Sequence, residues 1–308
     1  MSNLLQPNQP MRPFIPRELS SRYVLDNVIG RGFSGKVSKV FDKHTNKCVA
    51  IKRIYINPST QKLLTERTVS SLPNEIDNLK KIRHNNLVAI YDYYIFGIFF
   101  YVVLEYCSAG TLQQFLSQSP NTRVSEITSK YLINQVIDGL MYLNRFNIIH
   151  GDLKPKNILL DRGTNSSNTH NLVVKISNWG RTKNNIIEKT FYRDSYYTPP
   201  ELRNEQINTF IQKADLWSLG LIIYEMVNGS YLFDFVNNVD MPLTFTTTVS
   251  RDCSNLIRSL VQLDPIKRIS LSETSYHIWL NRPNSKVLDK SFIAINPDYD
   301  YEPTNTRR

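Results

Sequence analysis

Only three cysteines occur in 308 residues, Cys48, Cys107 and Cys253. They are odd in number and far apart, which excludes a disulfide framework and any zinc-ligand spacing and points to a reducing cell interior. Glycine is scarce at 11 residues and no internal repeat is present, which excludes collagen-like or low-complexity architecture. No hydrophobic run is long enough to span a bilayer. The most apolar stretch, Tyr93 to Leu104, is broken at Gly97 and reads as two strands joined by a tight turn. Residues 1–22 carry prolines at 7, 10, 13 and 16 without the apolar centre of a secretion signal, and read as an extended lead-in. A dense basic run is missing too. The formal net charge of +10 is spread along the chain without aromatic interleaving, so direct nucleic-acid recognition is not expected. What the chain does have is 41% hydrophobic residues, enough to bury the core of one large or two-lobed domain.

The most informative stretch is Ile148 to Asp161, Ile-Ile-His-Gly-Asp-Leu-Lys-Pro-Lys-Asn-Ile-Leu-Leu-Asp. An acid at Asp152, a base at Lys154 and an amide at Asn157 lie between apolar runs, the pattern of a short functional loop held by buried strands on either side. Such a set suits phosphate chemistry: a carboxylate orients or deprotonates a hydroxyl, an ammonium neutralises a phosphoryl group, and an amide oxygen can hold a metal ion. Upstream, Ile29-Gly30-Arg31-Gly32-Phe33-Ser34-Gly35-Lys36-Val37 has glycines spaced to bring backbone amides close to phosphate oxygens. That spacing alone would equally open a dinucleotide-binding helix. Here a β-rich run follows instead and leads to Val49-Ala50-Ile51-Lys52. Further on, Glu75 to Ile82 has helical spacing behind Pro73, with Ile76, Leu79 and Ile82 on one face. Leu87 to Tyr93 and Phe99 to Leu104 read as strands, and 111–116 and 127–143 as helices.

Taken in order, these motifs resemble the eukaryotic protein kinase superfamily of serine/threonine type, whose loop runs His-Arg-Asp-Leu-Lys-x-x-Asn. The resemblance implies an α+β, two-lobed fold over residues 23–282: a small β-rich lobe at 23–104, a hinge at 105–110 and a larger helical lobe at 111–282. Residues 1–22 and 283–308 would be flexible flanks. It further implies ATP as cofactor, with the glycine-rich segment Ile29 to Val37 over the phosphates, Val37 and Ala50 roofing the adenine, and Lys52 on the phosphates in a pair with Glu75. Backbone groups near Glu105 and Cys107 would meet the adenine edge, and Leu159 completes the nucleotide set. Asp152, Lys154 and Asn157 would be catalytic, and a protein substrate or a partner kinase follows as partner.

Two departures bear on activity. Val173-Val174-Lys175-Ile176-Ser177-Asn178-Trp179-Gly180 stands where the family has Asp-Phe-Gly, so Asn178 replaces the aspartate that, with Asn157, holds Mg²⁺. Losing that charge removes on the order of several kcal/mol of transition-state stabilisation. Magnesium binding is therefore expected to be weakened, with Mn²⁺ as a substitute. Gly151 replaces the loop arginine that commonly grips an activation-segment phosphate, so phosphorylation there is not the expected on-switch. Asp194 stands where a threonine is usual and is placed to pair with Lys154. Polar residues 162–171, His170 among them, read as a loop. Tyr197 to Glu201, Asp215 to Gly220 and Asp264 to Arg268 complete the resemblance and predict a buried Glu201–Arg268 ion pair. Two functions follow: an ATP-dependent serine/threonine kinase transferring the γ-phosphate, weakly, to protein hydroxyls, or an inactive pseudokinase acting as a nucleotide-binding scaffold. Either would be intracellular, in cytoplasm or nucleus.

Overall fold

β-Branched and aromatic residues alternating with polar ones build the first sheet of the computed structural model, which describes residues 15–32, 35–55, 76–162, 172–179, 196–203, 211–229 and 243–281. After a single turn, α1 (Arg17–Ser20), come β1 (Tyr23–Gly32), β2 (Gly35–Asp42) and β3 (Lys47–Tyr55). Helix α2 follows at 76–80, and then β4 (Ile90–Phe96) and β5 (Phe99–Glu105). The sheet order is β1-β2-β3-β5-β4, antiparallel throughout. Its core is Leu19, Tyr23, Val40, Val49, Ile51, Tyr101 and Val103. At the sheet margin Arg22 forks onto Asp42, Nε to Oδ1 at 3.0 Å and Nη2 to Oδ2 at 2.9 Å, locking the start of β1 to the end of β2. The expected tight turn is present: Gly97 sits at φ +56 between Phe96 and Phe99, a left-handed conformation that suits glycine in a two-residue hairpin loop.

The second unit starts with α3 (Leu112–Gln118), whose Thr111 and Gln114 form a reciprocal capping box, and α4 (Glu126–Arg145), capped by Ser125. Strands β6 (Ile158–Arg162) and β7 (Leu172–Ile176) pair antiparallel. Then come α5 (Pro200–Arg203), α6 (Ala214–Asn228), α7 (Arg251–Leu260), α8 (Leu271–Ser275) and α9 (Ile278–Asn281). Every residue of α6 is buried, as its nearly unbroken apolar sequence requires, and Gly229 at φ +75 ends it. Gly139 lets α4 approach β7. A Cβ there would lie 2.8 Å from Ile176 Cδ1 and 3.1 Å from the Asn86 carbonyl. Beside it Gln135 joins three elements, accepting from Val174 N–H and Asn86 Nδ2 while donating to the Leu172 carbonyl.

The described residues up to Ile82, with Ala89–Tyr106, make one compact unit; Arg83–Val88, with the described residues from Cys107 onward, make the second. Two strand expectations are corrected here. Leu87 makes only an isolated bridge to Ile176, and the continuous strand begins at Ile90. Ile148 and Ile149 are not a strand either. The Ile148 N–H turns back to the Leu143 carbonyl and closes the end of α4, so the loop that follows hangs from a helix on one side and from β6 on the other. Burial of an isoleucine pair does not require a strand, and here the helix end takes up the backbone hydrogen bond first.

Candidate active site

The loop from His150 to Asn157 is held by a buried carboxylate. Asp215, at the start of α6, accepts the His150 N–H at Oδ2 and the Gly151 N–H at Oδ1, both at 2.8 Å. Burial pushes the Asp215 carboxyl above its ordinary range, against the pull of the His150 ring and the two amide donors. Gly151 itself sits at φ +73, a left-handed backbone that glycine adopts freely. His150 is buried and bridges two segments: its Nδ1 accepts from the Asp152 N–H at 3.2 Å, which leaves Nε2 to carry the proton and donate to the Ser177 carbonyl at 2.8 Å.

The three predicted catalytic side chains come together. Asp152 Oδ1 accepts from Lys154 Nζ at 2.7 Å and Oδ2 from Asn157 Nδ2 at 3.0 Å, and the same Asn157 amide group also donates to the Asp152 carbonyl at 2.7 Å. Asn157 is buried at the end of a short 3₁₀ turn, Pro155–Asn157. Its own carbonyl accepts from the Ser177 N–H at 2.8 Å and Oγ at 2.9 Å, which brings the segment carrying Asn178 alongside. Asn178 Nδ2 then donates to Asn157 Oδ1 at 2.8 Å. Its backbone lies at φ +61, a region that asparagine tolerates better than most residues. Trp179 is buried and donates from Nε1 to the Val88 carbonyl at 3.1 Å.

A divalent cation is implied by the resemblance, and Asn157 and Asn178 are the residues that would hold it. They do not fit it. Both are neutral amides, one oxygen of the pair already accepts a hydrogen bond from the other, and Asp152 is engaged by Lys154 and Asn157. Magnesium usually takes one or two carboxylates besides phosphate oxygens. No group of three or more His, Cys, Asp or Glu among the described residues is arranged to hold a metal.

In the first unit, Gly32 pairs with Gly35 to close the β1–β2 hairpin. Gly35 cannot be replaced without rebuilding: it lies at φ +127, and a Cβ there would fall 2.2 Å from the Arg53 carbonyl. Arg31 pairs with Lys36 across the hairpin, and Lys36 with Arg53 across β2–β3. Burial, with the charges of Arg31 and Arg53, holds the Lys36 ammonium below its ordinary value. Lys52 lies on β3 opposite Val37 and Val102, and Ala50 is buried opposite Lys39 and Leu104. Ile29 and Gly30 are half-buried on β1. Glu105 at the end of β5 exchanges two hydrogen bonds with Ala89, N–H to carbonyl at 2.9 Å and Oε2 from N–H at 3.1 Å. In the second unit, Cys107 is half-buried and Leu159, also half-buried, bridges to Thr111. Phe33, Ser34, Glu75, His170 and Asp194 lie outside the described residues, and with them the expected Lys52–Glu75 and Asp194–Lys154 pairs.

Asp215, which the sequence marks only as the start of a buried helix, is the residue that anchors this loop. An acid heading an otherwise apolar, buried helix must find donors, and that was the available signal. The expected pair of Glu201 with Arg268 is present, Nη1 to Oε1 at 2.7 Å and Nη2 to Oε2 at 3.2 Å.

A family model described as Protein kinase domain matches residues 23–280. A serine/threonine-protein kinase atg1 of Dictyostelium discoideum is 32% identical over 276 residues, covering 85% of this chain and 40% of that protein. A serine/threonine-protein kinase stk11 homolog from the same organism is 30% identical over 277 residues, covering 85% and 45%. The chain therefore spans less than half the length of either relative. Among solved structures, Rad53 1-466 in complex with AMP-PNP shares the fold with a TM-score of 0.65 at 23% identity, covering 85% of this chain and 66% of that one. The two antiparallel sheets, the helical unit around α6 and the motifs on them are those of the protein kinase domain, the family to which this chain belongs.

Proposed function

We propose that this chain binds ATP and transfers its γ-phosphate, slowly, to serine or threonine hydroxyls of a protein substrate. The observation that carries this reading is the assembled set around Asp152, with Lys154 at 2.7 Å and Asn157 at 3.0 Å. The carboxylate would orient the substrate hydroxyl and take its proton as the oxygen–phosphorus bond forms and the bond to the departing ADP oxygen breaks. The ammonium of Lys154 would offset charge on the phosphoryl oxygens. The glycine-rich segment Ile29 to Val37, Ala50, Lys52 and Glu75, with Glu105, Cys107 and Leu159, would supply the nucleotide contacts. The relative of known structure is described with AMP-PNP, which supports this reading by analogy. Residues 23–282 would form the working domain with flanks at 1–22 and 283–308. Intracellular residence, in cytoplasm or nucleus, belongs to the same proposal and is supported by three cysteines of which none forms a disulfide.

The contact of Asn178 on Asn157 favours a second reading, a pseudokinase that binds nucleotide and acts on a partner kinase without transferring phosphate. One assay separates the two. Native protein, Asp152→Asn and Asn178→Asp are incubated with radiolabelled ATP and a general protein acceptor, with Mg²⁺ and then with Mn²⁺. Transfer by the native protein that falls at least about 10²-fold in Asp152→Asn supports the kinase. Transfer by Asn178→Asp alone assigns the native chain to the pseudokinases.

A further inference from the structure

We infer that the amide contact between Asn178 and Asn157 stands in for a divalent cation, so that this chain takes its nucleotide without one. The inference rests on the nucleotide-binding reading above and adds to it the form of nucleotide bound.

The orientation of Asn157 is fixed by chemistry. Its Nδ2 donates to two acceptors, the Asp152 carbonyl at 2.7 Å and Asp152 Oδ2 at 3.0 Å. Exchanging the nitrogen and oxygen would set one oxygen against two others, so Oδ1 must face the opposite way, towards Asn178. The Asn178 side chain meets that oxygen at 2.8 Å, a distance at which only a donor is stable, and its NH₂ supplies one. A carboxylate at 178 in the same place would put oxygen against oxygen with a full negative charge. A cation between them would reconcile the two. The amide N–H is therefore a built-in, uncharged replacement for that cation, held on a backbone at φ +61 that asparagine and aspartate both tolerate.

The test uses the full chain and two probes. In the first arm, Mn²⁺ alone is titrated and the free ion followed by electron paramagnetic resonance. The native protein should leave the signal unchanged, and Asn178→Asp should remove it. In the second arm, AMP-PNP affinity is measured by calorimetry in EDTA and in Mg²⁺. The native affinity should differ by less than about threefold between the two, whereas Asn178→Asp should lose at least about tenfold in EDTA. A native affinity that collapses in EDTA, or Mn²⁺ uptake by the native protein, overturns the inference. Failure to bind AMP-PNP under both conditions removes the nucleotide reading instead, and the Mn²⁺ arm still decides whether the amide pair excludes a cation.

Discussion

Arg268 and Glu201 meet as a two-point ion pair whose side chains are 0% and 4% exposed. The guanidinium also donates to the Lys213 and Gln262 carbonyls and lies 5.3 Å from the centre of the Trp217 ring, and Lys213 Nζ returns a hydrogen bond to the Arg268 carbonyl. Every guanidinium N–H thus has an acceptor, two on Glu201 and the rest on backbone carbonyls, the condition under which a buried charge is tolerated. Removing either partner alone strands the other. Glu201→Ala and Arg268→Ala should each lower unfolding free energy by about 3 to 5 kcal/mol, while the double variant should lose clearly less than the sum. Urea denaturation followed by circular dichroism measures both.

The anchor at Asp215 should separate loop geometry from loop chemistry. Asp215→Ala leaves two N–H groups, the buried one of His150 and the half-buried one of Gly151, without their acceptor, at about 1 to 3 kcal/mol for the buried one and less for the other. Asp215→Asn keeps one acceptor oxygen and should fall between native and alanine. Under the kinase reading, stability and phosphate transfer should decline together along this series, whereas Asp152→Asn should lose transfer with little change in stability.

Gly151 gives a second handle on the same loop. At φ +73 any side chain with a Cβ is strained, so Gly151→Ala should cost about 1 to 2 kcal/mol, and Gly151→Asn less, because asparagine visits this region more readily. Gly151→Arg, which restores the family's loop residue, should be penalised as well. Thermal unfolding should rank the native protein first, then Gly151→Asn, then Gly151→Ala, with Gly151→Arg also below native.

The pH dependence of the first unit should trace to Asp42. The hydrogen bonds from Arg22, then those from His44 and Thr45, hold its carboxyl below the ordinary value, against the opposing effect of burial. A carboxylate whose folded pKa is depressed adds stability that is fully present above its unfolded pKa and is lost as pH falls through the folded one. Native protein should therefore lose stability below about pH 4. Asp42→Asn should be less stable at pH 7 and should lose less on acidification, so the two curves converge at low pH; parallel curves would exclude Asp42 as the source.

Much of this was legible because motif residues carry their partners with them. Glu201 could be paired with Arg268, and the start of α6 placed at Asp215, from the family resemblance. The Lys154 and Asn157 side chains both lie within hydrogen-bond reach of Asp152. What escaped the sequence was direction. The spacing does not reveal that Asn178 presents its nitrogen to Asn157, because that choice depends on which way Asp152 has already turned the other amide. Nor does it reveal that Leu87 bridges to Ile176 while Ile90 starts the strand of the other sheet, since two apolar residues in a short run look alike. Ile148 and Ile149 show the same limit: they are hydrophobic enough for a strand, yet the end of α4 claims the backbone first.

The imidazole of His150 has a consequence for motion. The ring accepts a hydrogen bond from the Asp152 N–H and donates one to the Ser177 carbonyl, Ser177 donates two to the Asn157 carbonyl, and the Asn157 side-chain amide donates back to Asp152. These links form a closed circuit, so no single one opens without loosening the rest. Amide protons at 152 and 177 should exchange with deuterium at one common opening rate, as a single cooperative unit. The His150–Asn157 loop and the segment carrying Asn178 would then be ordered before any ligand arrives, and little conformational entropy would remain to be lost on binding.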